Sequence, residues 1–250
     1  MFLEHYFTMA NKSVIRLEGV TVYQPEDEFG NLSFRNAQQV LADVTLTVSE
    51  GEMVYFIGKV GSGKSSLLKV LYAELPLLEG KGEIAGFDLG SLRRRDIPRL
   101  RRSMGIVFQD YRLLRDRNVY ENLRFVMRAT GWKKEADIAE RIEELLKLVG
   151  LSNKEYKMPH ELSGGEQQRL VIARALVNSP KIILADEPTG NLDHKSANDV
   201  MLLFREIAAS GCAVVMATHN IQLADKYPAR TLMFKKGRIQ EVDLRAALGR

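Results

Sequence analysis

The stretch "MVYFIGKVGSGKSSLLKVLYAEL", residues 53–75, decides the fold. Its first six residues form a continuous apolar run, which is typical of a parallel strand buried on both faces. The final residues, "SSLLKVLYAEL", have the apolar spacing of a helix. Between them, "GKVGSGKS" matches G-x-x-x-x-G-K-[ST] from Gly58 to Ser65. This strand–loop–helix context is the one that the pattern requires, so it predicts a phosphate-binding loop.

Each residue type in this loop has a physical reason to be there. Gly61 and Gly63 allow the backbone to wrap phosphate groups where a Cβ would clash. Lys64 places a positive charge between the β- and γ-phosphates of a nucleotide, and Ser65 offers its hydroxyl to Mg²⁺. The loop therefore predicts a nucleoside triphosphate as ligand.

Two further apolar runs predict buried strands, "KIILADE" (181–187) and "CAVVMATHN" (212–220). Their alternation with helical patterns indicates an α/β fold with a mostly parallel core sheet. Residues 13–23 and 40–52 alternate apolar and polar residues, which predicts an N-terminal antiparallel β subdomain. The polar stretch from Gln24 to Gln39 between them is predicted to be an exposed, turn-rich hairpin connection.

From about residue 97 the pattern becomes helical. "KEADIAERIEELLKLVGL" (134–151) places its apolar residues on one face, and Gly150 ends that helix as a C′ glycine does. We expect a helical subdomain at about 97–178, inserted in a single domain of 14–250 that follows an N-terminal extension of 1–13. The apolar face consists of Ile138, Ile142, Leu145, Leu146 and Val149.

Polar side chains follow the predicted strands where chemistry is expected. Asp186 and Glu187 are adjacent and point to opposite sides, so Asp186 is predicted to bind Mg²⁺ and Glu187 to act as the base for the attacking water. Gln109 follows a third strand-like run, and its uncharged amide suits contact with both metal and water. His219 would direct an imidazole donor at the γ-phosphate.

A second anion-binding helix start lies about a hundred residues after the first, in "HELSGGEQQRLVIARALV" (160–177). Ser163 is the predicted N-cap, and Gly164 and Gly165 leave the first backbone N–H groups open to an anion.

Five segments, "GKVGSGKSS", "FQD", "LSGGEQQ", "ILADEPTGNLD" and "ATHN", resemble the motifs of an ABC-type ATPase in their order and separation. The resemblance covers about residues 14–242 and implies the P-loop NTPase fold with ATP and Mg²⁺ as ligands. It implies Glu187, His219 and Gln109 as catalytic residues and Ser65, Gln109 and Asp186 as metal ligands. The nucleotide contacts that it implies are Tyr23, Gly58, Lys59, Val60, Gly61, Ser62, Gly63, Lys64, Ser65, Ser66, Ser163, Gly164, Gly165, Glu166 and Asp193.

In that family the "LSGGE" segment meets the nucleotide of a second copy. The resemblance therefore implies a homodimer on ATP binding, with two nucleotides sandwiched across an isologous interface. Asn191, Leu192 and Asp193 would run along this interface and couple the two sites.

The aromatic residue that stacks on adenine in this family is less well defined by the sequence. Tyr23 is the natural candidate, but the family position also aligns with Gln24. Tyr23 could instead belong to the core, in which case Phe29 or Phe34 could supply the ring.

Within the family, the chain resembles most the FtsE-type branch of cell-division ATPases. That resemblance implies a partner that is an FtsX-like integral membrane protein, and regulation of cell-wall hydrolases at the cytoplasmic face of the bacterial inner membrane. A groove beside Gln109 would receive a short helix of the partner, with Arg112, Arg115 and Arg117 as contacts. The alternative within the fold is the ATPase of a lipoprotein-releasing or macrolide-exporting system. Ribosome- or DNA-acting members have two domains or a long coiled coil, so nucleic acid is not an expected partner.

Charge and composition add three expectations. The net charge is only +4, yet nine arginines and three acids lie between Arg93 and Arg117, which could be a solvated face or a surface for anionic lipid or an acidic partner. Cys212 is the only cysteine, so an internal disulfide is excluded and a small core residue is predicted. "MFLEHYFTMANKS" (1–13) lacks the features of a secretion signal, and the chain is expected in the cytosol.

Overall fold

A six-stranded sheet carries the phosphate-binding loop at the carboxyl end of one of its central strands. The computed structural model describes residues 12–28 and 31–247, with side chains described except at 26–36 and 247. The strands are β1 (Ser13–Glu28), β2 (Asn31–Ser49), β3 (Met53–Gly58), β4 (Glu79–Ile84), β5 (Phe87–Asp88), β6 (Met104–Val107), β7 (Ile182–Asp186), β8 (Ala213–Thr218), β9 (Arg230–Lys235) and β10 (Arg238–Val242). The helices are α1 (Lys64–Leu71), α2 (Ile97–Arg102), α3 (Val119–Ala129), α4 (Glu135–Leu148), α5 (Gly164–Ala175), α6 (His194–Ala209), α7 (Ile221–Lys226) and α8 (Leu244–Ala247), with a 3₁₀ turn at Pro159–Glu161.

The strand order of the large sheet is β10-β9-β3-β8-β7-β6. All neighbouring strands in it are parallel except β10, which pairs antiparallel with β9. The carboxyl ends of the parallel strands therefore lie at one edge of the sheet, where ligands bind in such folds. The predicted α/β fold with a mostly parallel core sheet is confirmed.

Side chains from the two faces of this sheet enter two separate cores. Tyr55 and Ile57 of β3 pack with residues of α3, α4, α5 and α6, whereas Val54 and Phe56 pack with α1 and the small sheet. Burial on both faces explains why the strand sequences are continuously apolar rather than alternating.

The small sheet is antiparallel with the order β2-β1-β4-β5. The stretch from Gln24 to Gln39 belongs to a hairpin, as predicted, but its turn-rich character is wrong, because β1 extends to Glu28 and β2 begins at Asn31. Gln24 pairs with Gln38 and Glu28 with Asn31, with register shifts along the way. Backbone hydrogen bonds between strands do not depend on side-chain polarity, so a polar sequence can still extend a ladder.

The segment 97–178 contains α2, α3, α4 and α5, but it also contains β6, which adds to the edge of the large sheet beside β7. The predicted apolar face of α4 is buried, and Gly150 has a φ of +66° after its last turn. The division into a domain of 14–250 and a helical subdomain remains a proposal. The predicted extension 1–13 lies almost entirely outside the described residues.

Among the described helices, none is both long and apolar enough to cross a membrane. Cys212 is half-buried against the core rather than fully enclosed, and burial raises the pKa of its thiol to about 12.

Candidate functional site

The phosphate-binding loop is a tight turn between β3 and α1 whose glycines are needed for close approach. A Cβ on Gly58 would come within 2.6 Å of the Phe234 carbonyl oxygen, and one on Gly63 within 2.8 Å of Leu41. Gly63 is the N-cap of α1, with a φ of +98°, and no side chain caps that helix. The first N–H groups of α1 thus have no side-chain acceptor and suit an anion.

Lys64 lies across this loop. Its side chain is only 5% exposed, and its Nζ donates to the carbonyl oxygens of Gly58 at 2.8 Å and Lys59 at 3.2 Å. An ammonium group has three donors, so one remains for a phosphate oxygen.

Asp186 at the end of β7 contacts Ser65 at the start of α1. The Ser65 side chain hydrogen-bonds to the Asp186 carboxylate. The Oδ1 atom of this carboxylate is buried and has no hydrogen-bond partner among the described residues. Burial raises the pKa of Asp186, and the hydrogen bond from Ser65 opposes that shift. A buried carboxylate oxygen without a partner, beside a hydroxyl, is a set of ligands that fits a small divalent cation.

Glu187, the next residue along the chain, contacts His219. The Nδ1 atom of His219 lies 2.9 Å from Oε1 of Glu187, and the His219 backbone N–H donates to Oε2 at 3.3 Å. The Glu187 carboxylate is nearly buried, whereas the His219 ring is largely exposed. With Nδ1 engaged, Nε2 is the ring nitrogen available to a ligand.

Gln109 follows β6 and lies beside the segment after β7. Its backbone carbonyl accepts a hydrogen bond from Asn191 at 3.5 Å, and its Nε2 would be 3.7 Å from a Cβ on Gly190. The sheet thus brings the predicted Gln109, Asp186, Glu187 and His219 to the edge that carries the phosphate-binding loop.

The second predicted anion site is the start of α5. Ser163 is its N-cap and forms a capping box with Glu166, whose Oε2 accepts from the Ser163 N–H at 2.8 Å. Glu166 also pairs with Lys154, which lowers its pKa to about 2. The carboxylate of Glu166, a predicted nucleotide contact, is therefore engaged by Lys154 and by the N-cap of its own helix.

The glycines of this turn pack on other segments. A Cβ on Gly165 would come within 2.6 Å of Ser196 Oγ in α6, and one on Gly164 within 3.2 Å of Tyr111 Oη. Asp193, another predicted nucleotide contact, is the N-cap of α6 and accepts from the Ser196 hydroxyl at 2.6 Å. The helix start with Ser163 thus contacts α6 and the segment after Gln109.

Tyr23 lies in β1, paired with Gln39 of β2. Its ring is half-buried rather than part of the core, and its hydroxyl donates to Glu79 Oε1 at 2.7 Å. Its role in stacking on adenine stays a prediction. Of the alternatives, Phe29 lies outside the described residues, as does the side chain of Phe34.

Asn122 is a buried residue in α3 that the sequence did not single out. Its Oδ1 accepts from the Leu114 N–H, and its Nδ2 donates to the carbonyl oxygens of Leu114, Arg117 and Asn118. A polar residue on the apolar face of a predicted helix is the signal that could have identified it. It holds together the loop that follows Gln109.

Beside this loop is a groove of about 380 Å³, lined among others by Arg101, Phe108, Phe125 and Thr130. Phe125 is 44% exposed, and the Arg117 guanidinium lies 4.5 Å from the centre of its ring. Arg112, Arg115 and Arg117, the predicted partner contacts, lie on the loop between Gln109 and α3, and Arg112 also lines the groove. An exposed aromatic flanked by arginines is a common feature of protein interfaces.

Known proteins resemble the chain over most of its length. A family model described as ABC transporter matches residues 41–190. The cell division ATP-binding protein FtsE of Streptococcus pneumoniae is 43% identical over 206 residues, which are 82% of this chain and 89% of that protein. The protein of the same name from Mycobacterium tuberculosis is 41% identical over 86% of this chain and 93% of its own length.

The fold of the chain is also similar to that of a solved structure. The dimeric ATP-binding cassette MJ0796, in a post-hydrolysis state bound to ADP and Pi, superposes with a TM-score of 0.78. It is 32% identical in sequence, and the match covers 92% of this chain and 99% of that one.

Proposed function

Because the chain belongs to the ABC transporter family, within the group of FtsE cell-division ATP-binding proteins, we propose that it is the ATP-hydrolysing subunit of a bacterial cell-division complex. The observation that carries this function is the edge of the large sheet. There the phosphate-binding loop, the Ser65–Asp186 pair and the Glu187–His219 pair follow neighbouring parallel strands.

The loop from Gly58 to Ser66 binds the phosphates of ATP through backbone N–H groups and Lys64. Ser65, Asp186 and Gln109 would hold Mg²⁺, which neutralises phosphate charge when it is bound. Because these three side chains are fewer than the six ligands that Mg²⁺ prefers, phosphate oxygens and water would complete the set.

Glu187 orients the attacking water and accepts its proton. His219 fixes the Glu187 carboxylate through Nδ1 and directs Nε2 at the terminal phosphate. Both side chains act by position and charge, as expected for phosphoryl transfer, where the protein supplies little covalent chemistry.

The start of α5 binds the ATP held by a second copy of the chain. Ser163, Gly164 and Gly165 present N–H groups at the positive end of a helix dipole, and their own contacts are with α6 and Tyr111. ATP then bridges two chains, and hydrolysis removes the anion that both stabilise. Such a dimer converts a chemical step into a motion.

That motion is transmitted to an FtsX-like integral membrane protein, which regulates peptidoglycan hydrolases. The groove beside Gln109 receives a short helix of this partner, with Phe125 as the apolar anchor and Arg112, Arg115 and Arg117 around it. The chain is then peripheral at the cytoplasmic face of the inner membrane. No described feature favours the alternative of a lipoprotein-releasing or macrolide-exporting system.

Capture of the partner from detergent-solubilised membranes tests this proposal. The wild-type chain should retain a four-span membrane protein, and Phe125→Asp should reduce its recovery at least tenfold, because a buried interface aromatic is a typical hot spot. Leu202→Asp in α6 is the matched control, since Leu202 is 47% exposed and Phe125 44%. Recovery of a larger permease with a substantial periplasmic domain would contradict the proposal.

A further inference from the structure

A second surface beside the groove consists of the arginines in the segment Arg93–Arg102. We call this segment the basic segment: it contains six arginines and one acid, Asp96, within ten residues, and all six arginine side chains are exposed. The proposed ATP chemistry and the partner groove leave most of these charges without a role.

Three of these arginines are engaged within the chain. Arg93 pairs with Asp96 at 3.2 Å, Arg101 donates to the carbonyl oxygens of Tyr72 and Ala73, and Arg102 donates to that of Thr130. The bonds from Arg101 and Arg102 connect α2 to other parts of the molecule, whereas the Arg93–Asp96 pair is local.

The other three arginines differ in this respect. The side chains of Arg94, Arg95 and Arg99 have no ion pair or hydrogen bond to any residue that the structure describes. Exposed guanidinium groups without internal partners are available to bind anions from outside, and their planar donors match phosphate groups.

The charge of the whole chain makes this surface distinct. The stretch from Arg93 to Arg117 has a net charge of +6, whereas the whole chain has +4, so the remaining residues are net negative. The excess positive charge of the chain is therefore concentrated between Arg93 and Arg117 rather than spread over the whole sequence.

The basic segment borders the partner groove, because Arg101 and the Thr130 that accepts from Arg102 both line it. A partner embedded in the membrane would bring this region close to the bilayer. This orientation of the chain, and with it the inference, rests on the proposed function. We propose that Arg94, Arg95 and Arg99 bind the anionic phospholipid headgroups of the membrane next to the partner.

Each basic residue near an anionic bilayer strengthens association about fivefold, so three together contribute roughly 100-fold. The contribution must fall with salt, because the side chains are exposed and their charges are screened.

Co-sedimentation of the purified full chain with vesicles tests the proposal without the partner, so its failure leaves the proposed function untouched. Wild type should bind vesicles that contain phosphatidylglycerol, lose binding at about 0.5 M salt, and ignore pure phosphatidylcholine vesicles. The triple variant Arg94→Gln, Arg95→Gln, Arg99→Gln should bind at least tenfold more weakly and hydrolyse ATP normally.

The matched control is Lys235→Gln, Lys236→Gln, Arg238→Gln, which removes three exposed positive charges at β9 and β10, near the opposite edge of the sheet from β6. This variant should bind vesicles like wild type. Equal losses in both variants, or no loss in either, would overturn the proposal. Unchanged vesicle binding with loss of partner capture in detergent would assign the arginines to an acidic protein segment instead.

Discussion

Glu187 adopts a φ of +47°, in the left-handed region that non-glycine residues rarely enter. This conformation costs about 1 kcal/mol, so surrounding contacts must hold it. Its N–H donates to the Ala217 carbonyl oxygen at 2.9 Å, and His219 binds its carboxylate. Glu187 thus contacts His219 whereas the adjacent Asp186 contacts Ser65, as the different roles that we propose for the two carboxylates require.

We predict that Glu187→Gln lowers the rate of ATP hydrolysis at least 100-fold and leaves ATP affinity unchanged. The substitution removes a proton acceptor, whose contribution is typically about 10²–10⁴-fold, without altering the phosphate contacts. Turnover and nucleotide binding measured on the same preparation check this.

Lys64→Ala provides the contrasting variant, because it should weaken nucleotide binding itself. The conservative control is Glu206→Gln, an exposed residue of α6. If Glu187→Gln hydrolyses ATP at the wild-type rate, Glu187 is not the proton acceptor.

At the scale of elements, α3 organises the loop between Gln109 and its own first turn through Asn122. This side chain makes four hydrogen bonds to the backbone of residues 114–118 from a fully buried position. Buried backbone groups that lose their partners are costly, so the loop depends on this single amide.

Asn122→Ala should lower the free energy of unfolding by about 3 kcal/mol, because several buried backbone groups lose their partner. Asn118→Ala, which removes only the N-cap bond to Glu121, should cost about 1 kcal/mol. Urea unfolding of both variants and wild type measures the difference. If both variants lower the free energy of unfolding by a similar amount, Asn122 contributes no more to stability than an ordinary helix cap.

The start of α5 should show a pH dependence that comes from Glu166. Its pKa is lowered from 4.5 to about 2 in the folded chain, first by Lys154 and then by the capping box. Because the pKa of Glu166 is lower in the folded than in the unfolded chain, its charged carboxylate stabilises the folded state. This stabilisation is complete when the pH is above the unfolded pKa of about 4.5, and it declines as the pH falls toward 2.

Glu166→Gln should therefore lower the melting temperature most near neutral pH, and the difference from wild type should shrink below about pH 4.5. Thermal unfolding of both proteins across this range measures it, with Glu206→Gln as control. A difference that stays constant down to about pH 3 would contradict the role of the charged carboxylate.

The elements differ in how well sequence predicts them. β3, β7 and β8 were predictable because burial on both faces leaves a continuous apolar run, and α4 because one face alone is buried. The polar part of the β1–β2 hairpin was not predicted as strand, because it is held by backbone pairing that side-chain patterns do not reveal. The internal bonds of Glu166 and Asp193 were also missed, since they depend on neighbours brought together by folding.

At the scale of the whole molecule, the two helix starts that we propose to bind phosphate belong to different parts of the chain. The first lies at the carboxyl end of β3, and the second packs on α6 and the segment after Gln109. A single chain with two such sites is explained if each site completes that of another copy. The sequence predicted that the two helix starts act on the nucleotides of different copies only through the family resemblance.

The measurement that tests this claim most directly is the mass of Glu187→Gln in Mg-ATP by size-exclusion chromatography with light scattering. We predict a species of twice the 28.2 kDa of one chain. Adding Ser163→Arg, which blocks the start of α5 but leaves the phosphate-binding loop intact, should restore the monomer while ATP still binds. A Glu187→Gln protein that stays monomeric in ATP, or a double variant that dimerises equally well, would contradict the account.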